Sequence, residues 1–424
     1  MPEDDEILRI VEVLLTAEIF NQNHNLDIND LPPVCREIFG LNGSPEIRRP
    51  FSVSEGMIRK VLGIGDARIK LKENPVVIFD EAGQRFRISA LDAAARWFMN
   101  QGALPIVRRN PTLAFFFEQR GTEGVSYKSV RSSNPPFEDT KRFIEAKISK
   151  ILAEDEKIRA GLDLIIVSAP EEIEQNLNDL VITQDQSNFI AKIKTGIHYR
   201  EFLRRHRIHE VGKLLFVGPP GTGKTSLALA MAVEMHMPVL EVRLSMVTSQ
   251  YLGETSKNID RIFDFAKKMN PCILFIDEFD FVAKSRVADD HGAMKRAVNS
   301  LLKNIDQISL IRHGVILIGA TNHPQLLDEA AWRRFDEIVP FSLPDLKMRK
   351  EILERVTVSL TCKCDFQALA GVTEGFSGAD LRMVVKEATL SALMDGRAEI
   401  TQEDIERGIK LVSDRTTIRN MNWL

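Results

Sequence analysis

The sequence predicts an α/β chain. Its main body, from about residue 171, is a parallel sheet with helices on both faces, followed by a small helical subdomain and preceded by a mixed α/β domain. Three observations predict this. Short continuous apolar runs, KLLFV (213–217), CILFI (272–276) and GVILIG (314–319), alternate with segments of helical period. Strands that are apolar on both sides suit a parallel sheet buried between two helix layers. Beyond Pro344 only helical patterns follow, ending in TQEDIERGIKLV.

A chain of 424 residues exceeds the size at which one core keeps growing, so several domains are expected. They are placed at 1–170, 171–344 and 345–424. In the first, Ile7, Ile10, Val11 and Leu14 have helical spacing until the polar NQNHN ends the pattern. NPVVIFDEAGQRFRIS reads as two short strands about a turn at Gly83, and ALDAAARWFMNQG as a helix with Gly102 as its C-cap. Residues 121–136 carry the Gly, Ser and Pro of a loop, and one long helix is expected from Phe137 to about Ala160. LDLIIVS follows as an apolar strand, with the domain boundary near Pro170. In the second domain, Ile259, Ile262, Phe263 and Ala266 share one helix face.

With 44% apolar and 27% charged residues the chain has the balance of a folded protein, and a net charge of −4 offers no global attraction for nucleic acid or an anionic membrane. Nucleic acid is therefore disfavoured as a partner. No apolar run reaches 18 residues, so neither a membrane span nor a signal peptide is expected. Of four cysteines, Cys362 and Cys364 form an isolated C-x-C without the second pair a zinc site needs. All four are expected as reduced thiols, Cys272 as a small core residue, and a cytoplasmic compartment fits this usage.

The strongest chemical signal is GPPGTGKT. It follows a strand pattern and opens a helix, which is the context a phosphate-binding loop requires. Gly218, Pro219, Pro220, Gly221, Thr222 and Gly223 form the loop, and Lys224, Thr225 and Ser226 begin the helix. The glycines let the backbone curl so that N–H groups, backed by the helix N-terminus, meet a β-phosphate. Lys224 would reach the β- and γ-phosphates and the Thr225 hydroxyl would hold Mg²⁺. A second signal, CILFIDEFD, ends a buried strand on two carboxylates at the sheet edge where ligands collect. Asp277 would bind Mg²⁺, directly or through water, and Glu278 would orient and deprotonate an attacking water. Asn322, just past another apolar strand in GATNHP, offers an amide that donates to the γ-phosphate or holds the water.

Together, GPPGTGKT, CILFIDEFD, GATNHPQLLDEAAWRRFDEIVPFSLPD and GFSGADL resemble the AAA ATPases over about residues 175–412. The resemblance implies ATP and Mg²⁺ as cofactors and Asn322 as the first nucleotide sensor. It implies that Arg333 and Arg334 reach a neighbouring subunit's phosphates, a role suited to a planar, always-charged guanidinium. A homo-oligomer, usually a hexamer in this family, follows. Adjacent arginines are similar to the spastin and katanin branch. Val181 and Ile182 would contact adenine, although NDLVITQDQ departs from the family's Asp-x-Gly-Gly. Gly378 and Ala379 lie near the nucleotide, where the second sensor position lacks an arginine. Tyr251, Leu252 and Gly253, in SQYLGETSK, match the substrate-gripping pore loop, since an aromatic contacts many polypeptides through apolar area.

The implied function is an ATP-hydrolysing protein remodeller, unfoldase or chaperone. A nucleic-acid-dependent motor or loader and an ATP-dependent assembly scaffold are the alternatives. The basic stretch REFLRRHRIH (200–209) reads as a solvated or inter-subunit surface, and DDHGAMKR (289–296) falls where the family has its second pore loop. No H-E-x-x-H occurs, so any proteolysis would need a separate partner.

Overall fold

The computed structural model describes residues 2–41, 47–243, 255–280, 292–327 and 329–420. The chain divides into two compact units, Met1–Lys147 and Ile148–Leu424, so the division falls earlier than the boundary expected near Pro170.

In the first unit a long helix α1 (Pro2–Gln22) contributes Ile10, Val11 and Leu14, all buried, to one core. Strand β1 (Val53–Ser54) leads into helix α2 (Glu55–Leu62), which is capped by the Ser54 hydroxyl and stopped by Gly63 at φ +70°. A short helix, Ala67–Lys70, follows. The expected hairpin is present as β2 (Val77–Asp80) and β3 (Arg85–Ile88). The three strands are antiparallel in the order β1-β3-β2. Helix Leu91–Asn100 then buries Ala94, Ala95 and Phe98.

The helix expected from Phe137 to Ala160 is instead broken. A 3-10 turn at Phe137–Asp139 precedes helix Lys141–Glu154, and another 3-10 turn and the short helix Arg159–Leu162 complete it. Asp155 ends the regular pattern by accepting from the Lys157 N–H at 3.2 Å, the local side-chain bond by which Asp competes with a helix.

The second unit is built on a six-stranded sheet of order β4-β6-β7-β8-β5-β9. Its strands are β4 (Ile165–Ser168), β5 (Lys213–Val217), β6 (Val239–Arg243), β7 (Cys272–Asp277), β8 (Val315–Thr321) and β9 (Glu337–Pro340). All neighbours are parallel except β4, which runs antiparallel to β6 as an edge strand. LDLIIVS therefore belongs to this sheet and not to the unit before it. The apolar runs are buried as expected: every residue of β8 and all but the terminal Asp277 of β7 are shut from solvent.

Helices α3 (Gln184–His198), α4 (Lys224–Met235) and α5 (Thr255–Met269) cover the sheet. On α5, Ile259, Ile262, Phe263 and Ala266 are at most 2% exposed. Each large apolar side chain so buried contributes about 1.5–3 kcal/mol. The C-terminal subdomain is helical: α6 (Leu346–Val356), helix Phe366–Gly371, α7 (Gly378–Met394) and α8 (Gln402–Asn420). Its own core gathers Leu353, Leu369, Leu381, Val384, Val385 and Ile405.

One cysteine expectation is corrected. Cys362 and Cys364 form a disulfide with an S–S distance of 2.16 Å. Cys362 is bridged to Ile400, and the Cα atoms of the two cysteines lie 5.7 Å apart, inside the span a disulfide closes. Cys35 and Cys272 are buried and belong to no disulfide. Among the described residues no helix is long and apolar enough to cross a membrane.

Candidate nucleotide site

The sheet order sets β7, β8 and β5 side by side, so their carboxyl ends deliver Asp277, Asn322 and the loop from Gly218 to one edge. Gly221 and Gly223 adopt φ +78° and +96°, left-handed values that favour glycine, and the chain then enters α4 at Lys224. The first-turn N–H groups of α4 have no intrahelical partner and face the same space. A cavity of about 460 Å³ opens there, lined by the loop from Pro220 to Leu227 and by Asp277 and Asn322. That is within the size range of small-molecule sites.

The electrostatics suit an anion held with a hard cation. Lys224 is 7% exposed, and its ammonium donates to the carbonyls of Gly218 at 2.8 Å and Pro219 at 2.7 Å. Burial lowers its pKa, with the Asp277 charge opposing that shift. Burial likewise raises the Asp277 carboxyl, against a bond from the Glu278 N–H at 2.8 Å. Both groups are thus held where a bound charge would relieve their desolvation. Among the described residues the Asn322 Oδ1 is buried with no hydrogen-bond partner, an acceptor open to a ligand or its water. Thr225 and Asp277 supply the hard oxygen donors that Mg²⁺ prefers. The residues fit a nucleoside triphosphate with Mg²⁺.

Other predicted residues take different places. Val181, Ile182, Gly378 and Ala379 line the same cavity. Gly218 and Pro219 are not among the lining residues; their carbonyls accept from Lys224. Glu278 does not line the cavity. It is exposed, at φ +53°, directly after the strand. Arg333 and Arg334 also lie outside it. Arg333 is exposed and pairs with Glu329, while Arg334 bonds the Leu302 carbonyl at 3.3 Å and pairs with Asp306 at 3.1 Å. Tyr251, Leu252 and Gly253 lie outside the described residues.

Sequence reading missed the roof. Arg382, Met383 and Lys386 on α7, with Ile352 and Val356 on α6, close the cavity. The motif position lacks an arginine, yet Arg382 stands one turn along the same helix. The signal was available as a stripe: 378, 379, 382, 383 and 386 recur at helical spacing along one face. What it could not give was the direction of that face.

Comparisons with known proteins agree with this geometry. A model described as "ATPase family associated with various cellular activities (AAA)" matches residues 214–343, and one described as "AAA+ lid domain" matches 364–407. The chain is 35% identical over 240 residues to an uncharacterized AAA family ATPase, y4kL, of Sinorhizobium fredii, covering 56% of this chain and 72% of that protein. It is 41% identical over 206 residues to the ATP-dependent zinc metalloprotease FtsH 1 of Conexibacter woesei, covering 47% of this chain but 31% of that protein. Among solved structures, the crystal structure of the FIGL-1 AAA domain superposes with a TM-score of 0.51 at 25% identity. The match covers 61% of this chain and 89% of that one.

Proposed function

This chain belongs to the AAA family of ATPases, and we propose that it couples ATP hydrolysis to the remodelling or unfolding of polypeptides as a homo-oligomeric ring, a hexamer. The observation that carries the reading is the separation of the two halves of the chemistry. The phosphate loop, Asp277 and Asn322 meet at one cavity, while Arg333 and Arg334 sit outside it on the same chain. Arginines so placed serve a neighbour's phosphates, which makes hydrolysis a property of the assembly.

Within one site, Lys224 binds the β- and γ-phosphates, and the α4 N-terminus with the loop N–H groups cradles them. Thr225 and Asp277 would hold Mg²⁺, which would supply positive charge to neutralise the phosphates. Glu278 takes the proton of the attacking water as its oxygen bonds the γ-phosphorus and the bond to the β–γ bridging oxygen breaks, so that ADP leaves with the electron pair. Asn322 holds that water or the γ-phosphate in line, and a neighbour's Arg333 and Arg334 stabilise the charge spreading over the transferred group. Val181 and Ile182 bound the base, and Gly378 and Ala379 bring the C-terminal subdomain to the nucleotide. Hydrolysis then moves loops that include Tyr251, Leu252 and Gly253 against the polypeptide.

A remodeller is favoured over a nucleic-acid motor by the net charge of −4 and by the aromatic–aliphatic–Gly stretch. The part of FtsH 1 that this chain spans excludes most of that protein's length, and no H-E-x-x-H is present, so peptide cleavage is not part of the proposal. The test is Glu278→Gln. It binds ATP, turns over about 10²–10⁴-fold more slowly, and is trapped as a ring with polypeptide bound. A variant that binds ATP yet stays monomeric at all nucleotide concentrations contradicts the assignment of Arg333 and Arg334.

A further inference from the structure

Besides the phosphate loop, the cavity is lined by a short segment fixed at both ends. Before it, the turn Leu177–Asp179 is closed by a bond from the Asn176 N–H to the Asp179 carboxylate at 3.0 Å. After it, Thr183 caps α3 in reciprocal bonds with Gln186, at 3.0 and 3.2 Å. Between these, Leu180, Val181 and Ile182 face the cavity. Among the described residues no hydrogen bond engages the backbone N–H or C=O of Val181 or Ile182. Two adjacent half-buried peptide groups left without partners beside the cavity can supply it with a donor and an acceptor. That pair matches the edge of adenine, with an acceptor ring nitrogen beside a donor amino group. Guanine offers the reverse order on the same edge, so a fixed peptide pair rejects it.

What fixes the pair comes from the other subdomain. Arg355, in the last turn of α6, donates from one guanidinium nitrogen, Nη1, to the carbonyls of Asn178, at 2.6 Å, and Leu180. Its second terminal nitrogen is held by Glu351 at 2.6 Å, so the planar group is fixed at both ends. Arg355 does not line the cavity, but its helix does, through Ile352 and Val356. The stretch contains no glycine, and the carbonyls of Asn178 and Leu180 are held by an arginine from the lid.

We propose that Arg355 is a positioning residue for nucleobase recognition: by holding the Asn178 and Leu180 carbonyls, it aims the Val181 and Ile182 peptides at adenine and makes base selection depend on the lid. The inference rests on the nucleotide-site reading above. It states that the lid, as well as the large subdomain, determines which nucleotide is hydrolysed.

The experiment compares the full chain with Arg355→Ala and Arg355→Lys in steady-state hydrolysis of ATP and GTP, with thermal melting alongside. The wild type prefers ATP. Arg355→Ala raises KM for ATP about tenfold, as expected for loss of bonds from a charged donor, with little change in KM for GTP or in kcat at saturation. The ATP:GTP ratio of kcat/KM falls accordingly, and Arg355→Lys, which keeps a donor, recovers part of it. A wild type active on ATP but indifferent to the base overturns the inference. So does an Arg355→Ala protein with an unchanged ATP:GTP ratio, or one whose ATP and GTP parameters fall together with Tm. Wild-type protein that hydrolyses neither nucleotide counts instead against the nucleotide-site reading itself.

Discussion

The backbone N–H of Ala379 donates to the carbonyl of Gly221 across 3.0 Å, joining the first turn of α7 directly to the phosphate loop. Ser377 caps that turn, accepting from the Asp380 N–H at 3.3 Å, while the Asp380 carboxylate accepts from the Ser377 N–H at 2.8 Å. The C-terminal subdomain is thus anchored on the loop proposed to hold the phosphates.

Substituting Gly221 tests this anchor. A Cβ there would sit 2.6 Å from the Ser377 hydroxyl and 3.0 Å from the Ala379 Cβ, at φ +78°. At Gly223, φ +96°, a Cβ would have no neighbour within 4 Å, so this position serves as the control. Both alanine variants carry the left-handed backbone cost of about 1–2 kcal/mol. Only Gly221→Ala also pushes α7 off the loop, so its nucleotide affinity, read by fluorescent-nucleotide titration, falls about tenfold further. Equal losses in the two variants would mean the lid contact contributes nothing to binding.

Trans-acting arginines predict complementation. Lys224→Ala protein cannot use its own site but still offers Arg333 to a neighbour, and Arg333→Ala protein has the converse defect. Each alone is about 10³-fold less active or worse. Mixed, they recover a measurable fraction of wild-type turnover in a coupled phosphate-release assay. Co-assembly by size with no recovery at any ratio would show that Arg333 acts in its own subunit. Arg333 is chosen because Arg334 is also tied to Asp306 and Leu302, so its loss would perturb packing as well.

The lid carries a pH-dependent stability element. Asp404 is fully buried and accepts from Arg397 at 2.8 and 3.0 Å, Arg407 at 2.6 Å, and the Thr401 N–H and hydroxyl at 2.9 and 2.8 Å. The Arg397 bonds, foremost, hold its carboxyl far below the usual carboxylate range. A depressed carboxylate pKa stabilises the fold above the unfolded value of about 3.9, and that stability is lost as pH falls from there toward the folded value. Asp404→Asn should therefore lower Tm by about 5 °C at neutral pH, and the gap should narrow below about pH 4. A gap constant from pH 7 to pH 3 would assign the effect to packing and not to charge.

The sequence made the sheet and the phosphate side of the site legible for a physical reason. Lys224, Asp277 and Asn322 each follow a buried apolar strand, and parallel strands deliver their carboxyl ends to one edge whatever the loops do. The lid side was not legible in the same way. Arg355 and Arg382 lie on amphipathic helices whose spacing shows a face but not its neighbour. Arg355 acts on Asn178 and Leu180, far away in the chain. The disulfide of Cys362 and Cys364 follows from a Cα separation of 5.7 Å, which the spacing C-x-C does not register. The interrupted helix after Phe137 turned on a local competition at Asp155, which apolar spacing does not register.

The central claim is that ATP hydrolysis by an assembly of this chain does work on polypeptide. It is tested most directly by measuring the ATPase rate of the wild-type protein alone, with a permanently unfolded polypeptide, and with single-stranded DNA. The account predicts a rate that rises with the unfolded polypeptide and is unchanged by DNA. Stimulation by DNA alone would contradict it.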